Sequence, residues 1–192
     1  MKIFFFIFLI LLTSSKILNA QNLSKAYFAG GCFWCMEESF EKINGVTEVI
    51  SGYSGGTTKN PSYKEVTYGD AGHFETIEII YDSSTISYQK LLDNFWINID
   101  PFDEYGQFCD KGYSYRSVAF YQNQKQKILI EDSIKKIEKK FQKKVLTYIK
   151  EFDEFYKAED KHQNYYQEYF LNYLRYKKAC RREKILNNIW NF

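Results

Sequence analysis

The alternation of apolar and polar positions divides the chain into short strands and amphipathic helices. Lys25 to Ala29 predicts a strand that runs into Gly30-Gly31. Beyond it Phe33, Met36, Phe40 and Ile43 recur at helical spacing until Gly45 stops the helix, so Cys32 opens that helix. Val46 to Tyr53 is β-branched and reads as a strand; Ser54-Gly55-Gly56 and Asn60-Pro61 mark a long surface loop. His73 to Tyr81 alternates with a period of two, which places Glu75 on one face with Ile77, Ile79 and Tyr81. Ser87 is placed to cap a helix whose apolar face is Leu91, Leu92, Phe95 and Trp96, and Asp100-Pro101 ends it.

The second half is more polar. Phe102 to Ser114 is irregular, Tyr115 to Tyr121 predicts a strand, Gln124 to Phe141 a lysine-rich amphipathic helix, and Val145 to Phe152 another strand. Asp160 to Tyr173 reads as helix. From about Arg175 to Phe192 a polar tail follows, with Ile185, Leu186, Ile189 and Trp190 as docking points. Strands and helices in similar number, with neither βα alternation nor a phosphate-binding glycine loop, point to an α+β two-layer sandwich.

Composition narrows the class. A chain of 192 residues with 45% hydrophobic and 26% charged residues fits one domain with one core. The first twenty residues stand apart: Lys2, the apolar stretch Ile3 to Leu12, then polar residues up to Ala20. This is the pattern of a secretory signal peptide, so residues 1–20 are expected to direct export and 21–192 to form the catalytic domain. An uncleaved N-terminal membrane anchor is the alternative, since Leu18 stands where a smaller residue is commoner before cleavage. Without residues 1–20, Lys2 and Lys16 are gone and 24 basic residues balance 24 acidic ones, which leaves no electrostatic footprint for nucleic acid.

Cys32, Cys35, Cys109 and Cys180 are too few for a disulfide scaffold in a chain with its own core. Cys32, at the first turn of a helix, faces unpaired backbone N–H groups and the positive end of the helix dipole, which predicts a lowered thiol pKa. Gly30-Gly31 allow close approach of a substrate, and Phe33-Trp34 set two aromatic faces beside the sulfur. Cys32 and Cys35 together also fit a thioredoxin-like thiol–disulfide exchanger, although only Pro61 and Pro101 exist to supply its facing proline. A metal centre built on the four cysteines, or on His73 and His162, lacks the two close pairs of a structural zinc site.

Gly31-Cys32-Phe33-Trp34 resembles the active-site signature of the A-type peptide methionine sulfoxide reductases. Further runs follow in that family's order: Gly52-Tyr53-Ser54-Gly55-Gly56, Asn60-Pro61-Ser62-Tyr63, Gly69-Asp70-Ala71-Gly72-His73-Phe74-Glu75, Gln107-Phe108-Cys109-Asp110 and Tyr115-Arg116-Ser117. Ala158-Glu159-Asp160-Lys161-His162-Gln163 extends the match towards the end of the chain. Ile99 departs from the pattern, where the commoner run has histidine, and so does a shortened stretch between Tyr176 and Cys180.

The resemblance implies a ferredoxin-like core with a mixed or antiparallel sheet, no bound cofactor, and reduction of the S epimer of methionine sulfoxide, free or in oxidised proteins. In that reading Cys32 attacks the sulfoxide sulfur and Glu75 is the acid. Tyr63 and Tyr115 hydrogen-bond the sulfoxide oxygen, Asp110 lies near them, and Phe33 and Trp34 hold the methyl group. Glu75 on an apolar strand face would be protonated near neutrality, since desolvation disfavours the carboxylate. A sulfenic acid on Cys32 needs a resolving thiol and then a dithiol reductant, such as a thioredoxin-like protein. Cys180, in a tail that could move, is favoured for resolution, with Cys35 and Cys109 as alternatives. A monomer is expected.

Overall fold

The computed structural model describes residues 22–191. The expected signal segment, 1–20, lies outside the described residues. Among the described residues no helix is long and apolar enough to cross a membrane.

Strand β1 (Leu23–Gly30) leads into helix α1 (Phe33–Glu41), then β2 (Val46–Ser54), a short α2 (Tyr63–Tyr68), β3 (Phe74–Asp82) and α3 (Tyr88–Ile97). A two-residue hairpin, β4 (Gly106–Gln107) and β5 (Asp110–Lys111), precedes β6 (Ser117–Tyr121). Next come α4 (Gln124–Phe141), β7 (Tyr148–Glu151) and β8 (Phe155–Lys157). The chain finishes in α5 (Tyr165–Glu168), α6 (Phe170–Ala179) and α7 (Arg182–Trp190).

The main sheet has the order β7-β6-β1-β3-β2-β8. Its central four strands, β6-β1-β3-β2, pair antiparallel, and across the sheet they are the fourth, first, third and second strands of a β-α-β-β-α-β unit. That is the ferredoxin-like arrangement expected above, made mixed at one edge by β7, which runs parallel to β6 after the α4 crossover.

The main core lies between this sheet and helices α1, α3 and α4. Phe28 on β1 is fully buried, with its ring centroid 4.7 Å from Phe95 of α3 and 5.8 Å from Phe40 of α1. Burying one phenylalanine contributes about 2–3 kcal/mol, and this one fastens both helices to the strand that ends at the reactive turn. Alternation along β3 sends Glu75, Ile77, Ile79 and Tyr81 inward together, all buried. Ser87 caps α3 by accepting from the Lys90 N–H. Lysine-rich α4 buries Ile130, Ser133 and Ile137 and leaves its lysines in water; Ser133 Oγ accepts from Trp96 Nε1 at 2.8 Å. Ile99 is fully buried, and its carbonyl accepts from Trp190.

The C-terminal segment differs most from expectation. Instead of one helix over 160–173 and a polar tail, a 3-10 turn (Asp160–His162) leads into α5, α6 and α7, and the last two pack on the domain. Tyr173 is buried and donates to Glu38 Oε2 at 2.6 Å, while Leu186 is buried and Trp190 packs on the core cluster. A few apolar residues spaced along a polar sequence suffice to dock these helices.

Candidate active site

Cys32 sits in a turn that two glycines make possible. Gly31 has φ +79°, a left-handed conformation, and a Cβ there would lie 2.5 Å from Gln107 Cβ. Gln107 is buried and exchanges two hydrogen bonds with the backbone of Asp100, which holds the facing loop in place. The turn delivers Cys32 to the N-cap of α1, followed at once by Phe33 and Trp34.

Glu75 comes from the inward face of β3. It is 2% exposed, and its Oε2 accepts from the Phe33 N–H at 3.0 Å. Burial pushes its carboxyl up to about 8; the Phe33 N–H opposes this and the nearby Asp110 charge adds to it. Glu75 is therefore a proton carrier at neutral pH. Tyr63 opens α2, a helix set by a capping box between Ser62 and Glu65. Glu159 fixes its position, accepting from the Tyr63 N–H at 2.9 Å and from the Tyr53 hydroxyl at 2.8 Å. The Tyr63 and Tyr115 hydroxyls lie 3.4 Å apart. Burial holds both phenols above their usual range, Tyr63 at about 12, so both are hydrogen-bond donors.

These groups converge. Cys32, Phe33, Trp34, Tyr63, Glu75, Asp110, Tyr115 and Tyr176 line one cavity of about 100 Å³, with room for the end of a side chain. Trp34 is held flat against Tyr165, ring centroids 3.7 Å apart. Asp110, whose carboxyl burial pushes up, accepts from the Tyr176 hydroxyl. Sequence reasoning missed Tyr176, which reaches the cavity only because α6 folds back; nothing in its local pattern marks it. It also passed over the packing of His162 among Phe33, Trp34 and Tyr63, with the Tyr63 ring 4.5 Å away.

A family model described as peptide methionine sulfoxide reductase matches residues 24–192. The chain belongs to that family. It is 42% identical over 175 residues to the peptide methionine sulfoxide reductase MsrA of Listeria monocytogenes serotype 4b, covering 90% of this chain and 99% of that one. To MsrA of Bacillus licheniformis it is 43% identical, covering 89% and 96%. Among solved structures, reduced Mxr1 from Saccharomyces cerevisiae aligns with a TM-score of 0.71 at 28% identity, over 76% of this chain and 85% of that one. Methionine sulfoxide reductase A of Corynebacterium diphtheriae gives 0.70 at 28%, over 76% and 74%. Family membership displaces the thioredoxin-like and metal-centre readings.

Two expectations about the cysteines need correction. The helix start does not lower the Cys32 pKa. Cys32 is 4% exposed, and burial, the contact with Cys35 and the Glu75 and Asp110 charges hold its thiol up. The first N–H of α1 is spent on Glu75, so the dipole end that would favour a thiolate serves the carboxyl. Cys35 is lowered, first by the hydrogen bond from Cys32 and then, against burial, by Arg182 and Lys177. Cys180 is likewise not on a mobile tail. It closes α6, is buried, and is disulfide-bonded to Cys109, with Cα atoms 5.0 Å apart. Cys32 and Cys35 are free thiols.

Proposed function

We propose that this protein reduces methionine S-sulfoxide, free or in oxidised proteins, with Cys32 as nucleophile. The observation that carries the reading is the convergence of Cys32, Glu75, Tyr63 and Tyr115 on one small cavity walled by Phe33 and Trp34. The aromatic walls take the methyl group and exclude water. The two phenols and the Glu75 carboxylic acid donate to the sulfoxide oxygen as charge develops on it.

Cys32 sulfur attacks the sulfoxide sulfur, and the oxygen is transferred to give a Cys32 sulfenic acid and methionine. The sulfoxide is reduced and the cysteine oxidised by two electrons; the thiol proton ends on the sulfenic oxygen, and Glu75 recovers the proton it lent. Cys180 then condenses with the sulfenic acid, releasing water and forming Cys32–Cys180. Cys109 attacks Cys180 and frees Cys32. The Cys109–Cys180 disulfide beside two free thiols is the state this relay leaves behind. Cys109 is exposed and Cys180 buried, so an outside dithiol reductant opens the bond at Cys109.

A thioredoxin-like protein suits that task. Mxr1 from Saccharomyces cerevisiae has been solved in complex with Trx2, but at 19% identity that likeness compares folds, and the proposal rests on the disulfide chemistry. Residues 1–20 support an exported enzyme served by a donor outside the cytoplasm. Turnover of the separated S and R sulfoxides with a dithiol reductant tests the activity. Methionine from the S epimer alone is expected; no turnover of S, or equal turnover of both, would overturn the proposal.

A further inference from the structure

Arg182 is 4% exposed, and among the described residues it forms no ion pair. Its hydrogen-bond partners are neutral, although its charge also acts on Cys35 and Asp110. Nη2 donates to the carbonyl of Asn98 and, at 3.5 Å, to that of Gly30; it also lies 3.3 Å from Met36 Sδ. Its guanidinium sits 4.4 Å from the centroid of the Phe108 ring. Burying a cation without a carboxylate is costly, so its placement needs a reason beyond packing.

Its neighbours supply one. Arg182 stands two residues after Cys180, and Phe108 immediately precedes Cys109. Phe108 and Arg181 both have left-handed backbones, φ +55° and +54°, which a side chain disfavours unless the surroundings impose them. Each adjoins one cysteine of the disulfide. The third contact, the Gly30 carbonyl, belongs to the glycine turn that presents Cys32. One guanidinium thus touches the approaches to all three sulfurs of the relay.

We infer that Arg182 is a positioning residue for disulfide transfer, pinning the Phe108–Cys109 and Cys180–Arg181 turns to the Gly30–Gly31 turn so that Cys180 can pass its bond from Cys32 to Cys109. The inference rests on the relay proposed above. The guanidinium lays its planar face on Phe108 while Nη2 serves both carbonyls, and a lysine ammonium has no planar face to offer Phe108.

The test uses the full chain, fully reduced, as wild type, Arg182→Lys, Arg182→Met and Cys180→Ser. Without reductant, one equivalent of substrate should give the same methionine burst in both Arg182 variants as in wild type. Mapping of the quenched protein should show Cys109–Cys180 forming at least tenfold more slowly. Turnover with thioredoxin should fall by a similar factor, and excess dithiothreitol, which reduces oxidised Cys32 directly, should restore it. Cys109–Cys180 forming at the wild-type rate in both variants would overturn the inference. So would a lost burst that dithiothreitol does not rescue, since that marks a general structural role. Wild-type turnover of Cys180→Ser with thioredoxin would overturn the relay itself, and the inference with it.

Discussion

Replacing Glu75 with glutamine should make the protein less active and, in alkali, more stable. Glu75 is fully desolvated and its carboxyl is pushed up to about 8 from an ordinary 4.5. A carboxyl raised in the folded state binds its proton more tightly folded than unfolded. It therefore favours folding below pH 4.5 and withdraws that support as pH rises through about 8. At about 1.4 kcal/mol per pKa unit, the penalty above pH 8 reaches about 5 kcal/mol for the ionised form. Glutamine has nothing to ionise, and its carbonyl can still accept from the Phe33 N–H. Urea unfolding at pH 6 and pH 9 should show wild type losing about 2–3 kcal/mol of stability that Glu75→Gln keeps. In single turnover the variant should release methionine about 10²-fold or more slowly, and the wild-type rate should fall as pH rises through about 8. Equal pH dependence of stability in the two proteins, or an undiminished rate in the variant, would refute the reasoning.

Tyr63→Phe and Tyr115→Phe should each slow single turnover about 10–100-fold, and the double variant more than either, because the hydroxyls 3.4 Å apart address one oxygen; stopped assays of methionine release check this. Phe28→Ala should cost about 3–5 kcal/mol, measured by denaturant unfolding, since it empties the joint between β1, α1 and α3. Expression of the full chain in a bacterium with an intact export pathway should yield periplasmic protein lacking residues 1–20, read by intact mass; full-length protein confined to the cytosol would contradict export.

Most of the central fold was legible because its strands alternate with one face in the core, as Glu75, Ile77, Ile79 and Tyr81 show, and because α3 carries a visible cap in Ser87. Helix α2 was missed although Ser62 and Glu65 spell a capping box; its six residues bury only Val66, too little for an apolar period. Strand β8 was missed because three residues at a sheet edge carry no pattern. Cys32, Glu75, Tyr63, Tyr115 and Asp110 were named through linked motifs, and the structure brings all five to one cavity. The helix-start argument for Cys32 failed because sequence shows where a dipole points but not which group takes its N–H or how deeply the sulfur is buried. Tyr176, Arg182 and the bond between Cys109 and Cys180 depend on α6 and α7 folding back, a long-range event to which local periodicity is blind.

The central claim is that Cys32 takes the oxygen from the sulfoxide and hands the oxidation to another cysteine. Fully reduced protein mixed with one equivalent of S-sulfoxide, without reductant, should release one methionine per chain. Its free thiols should fall from four to two, with Cys32 among those remaining. Cys32→Ser should release none. Methionine formed by Cys32→Ser at the wild-type rate, or by wild type with all four thiols still free, would contradict the account.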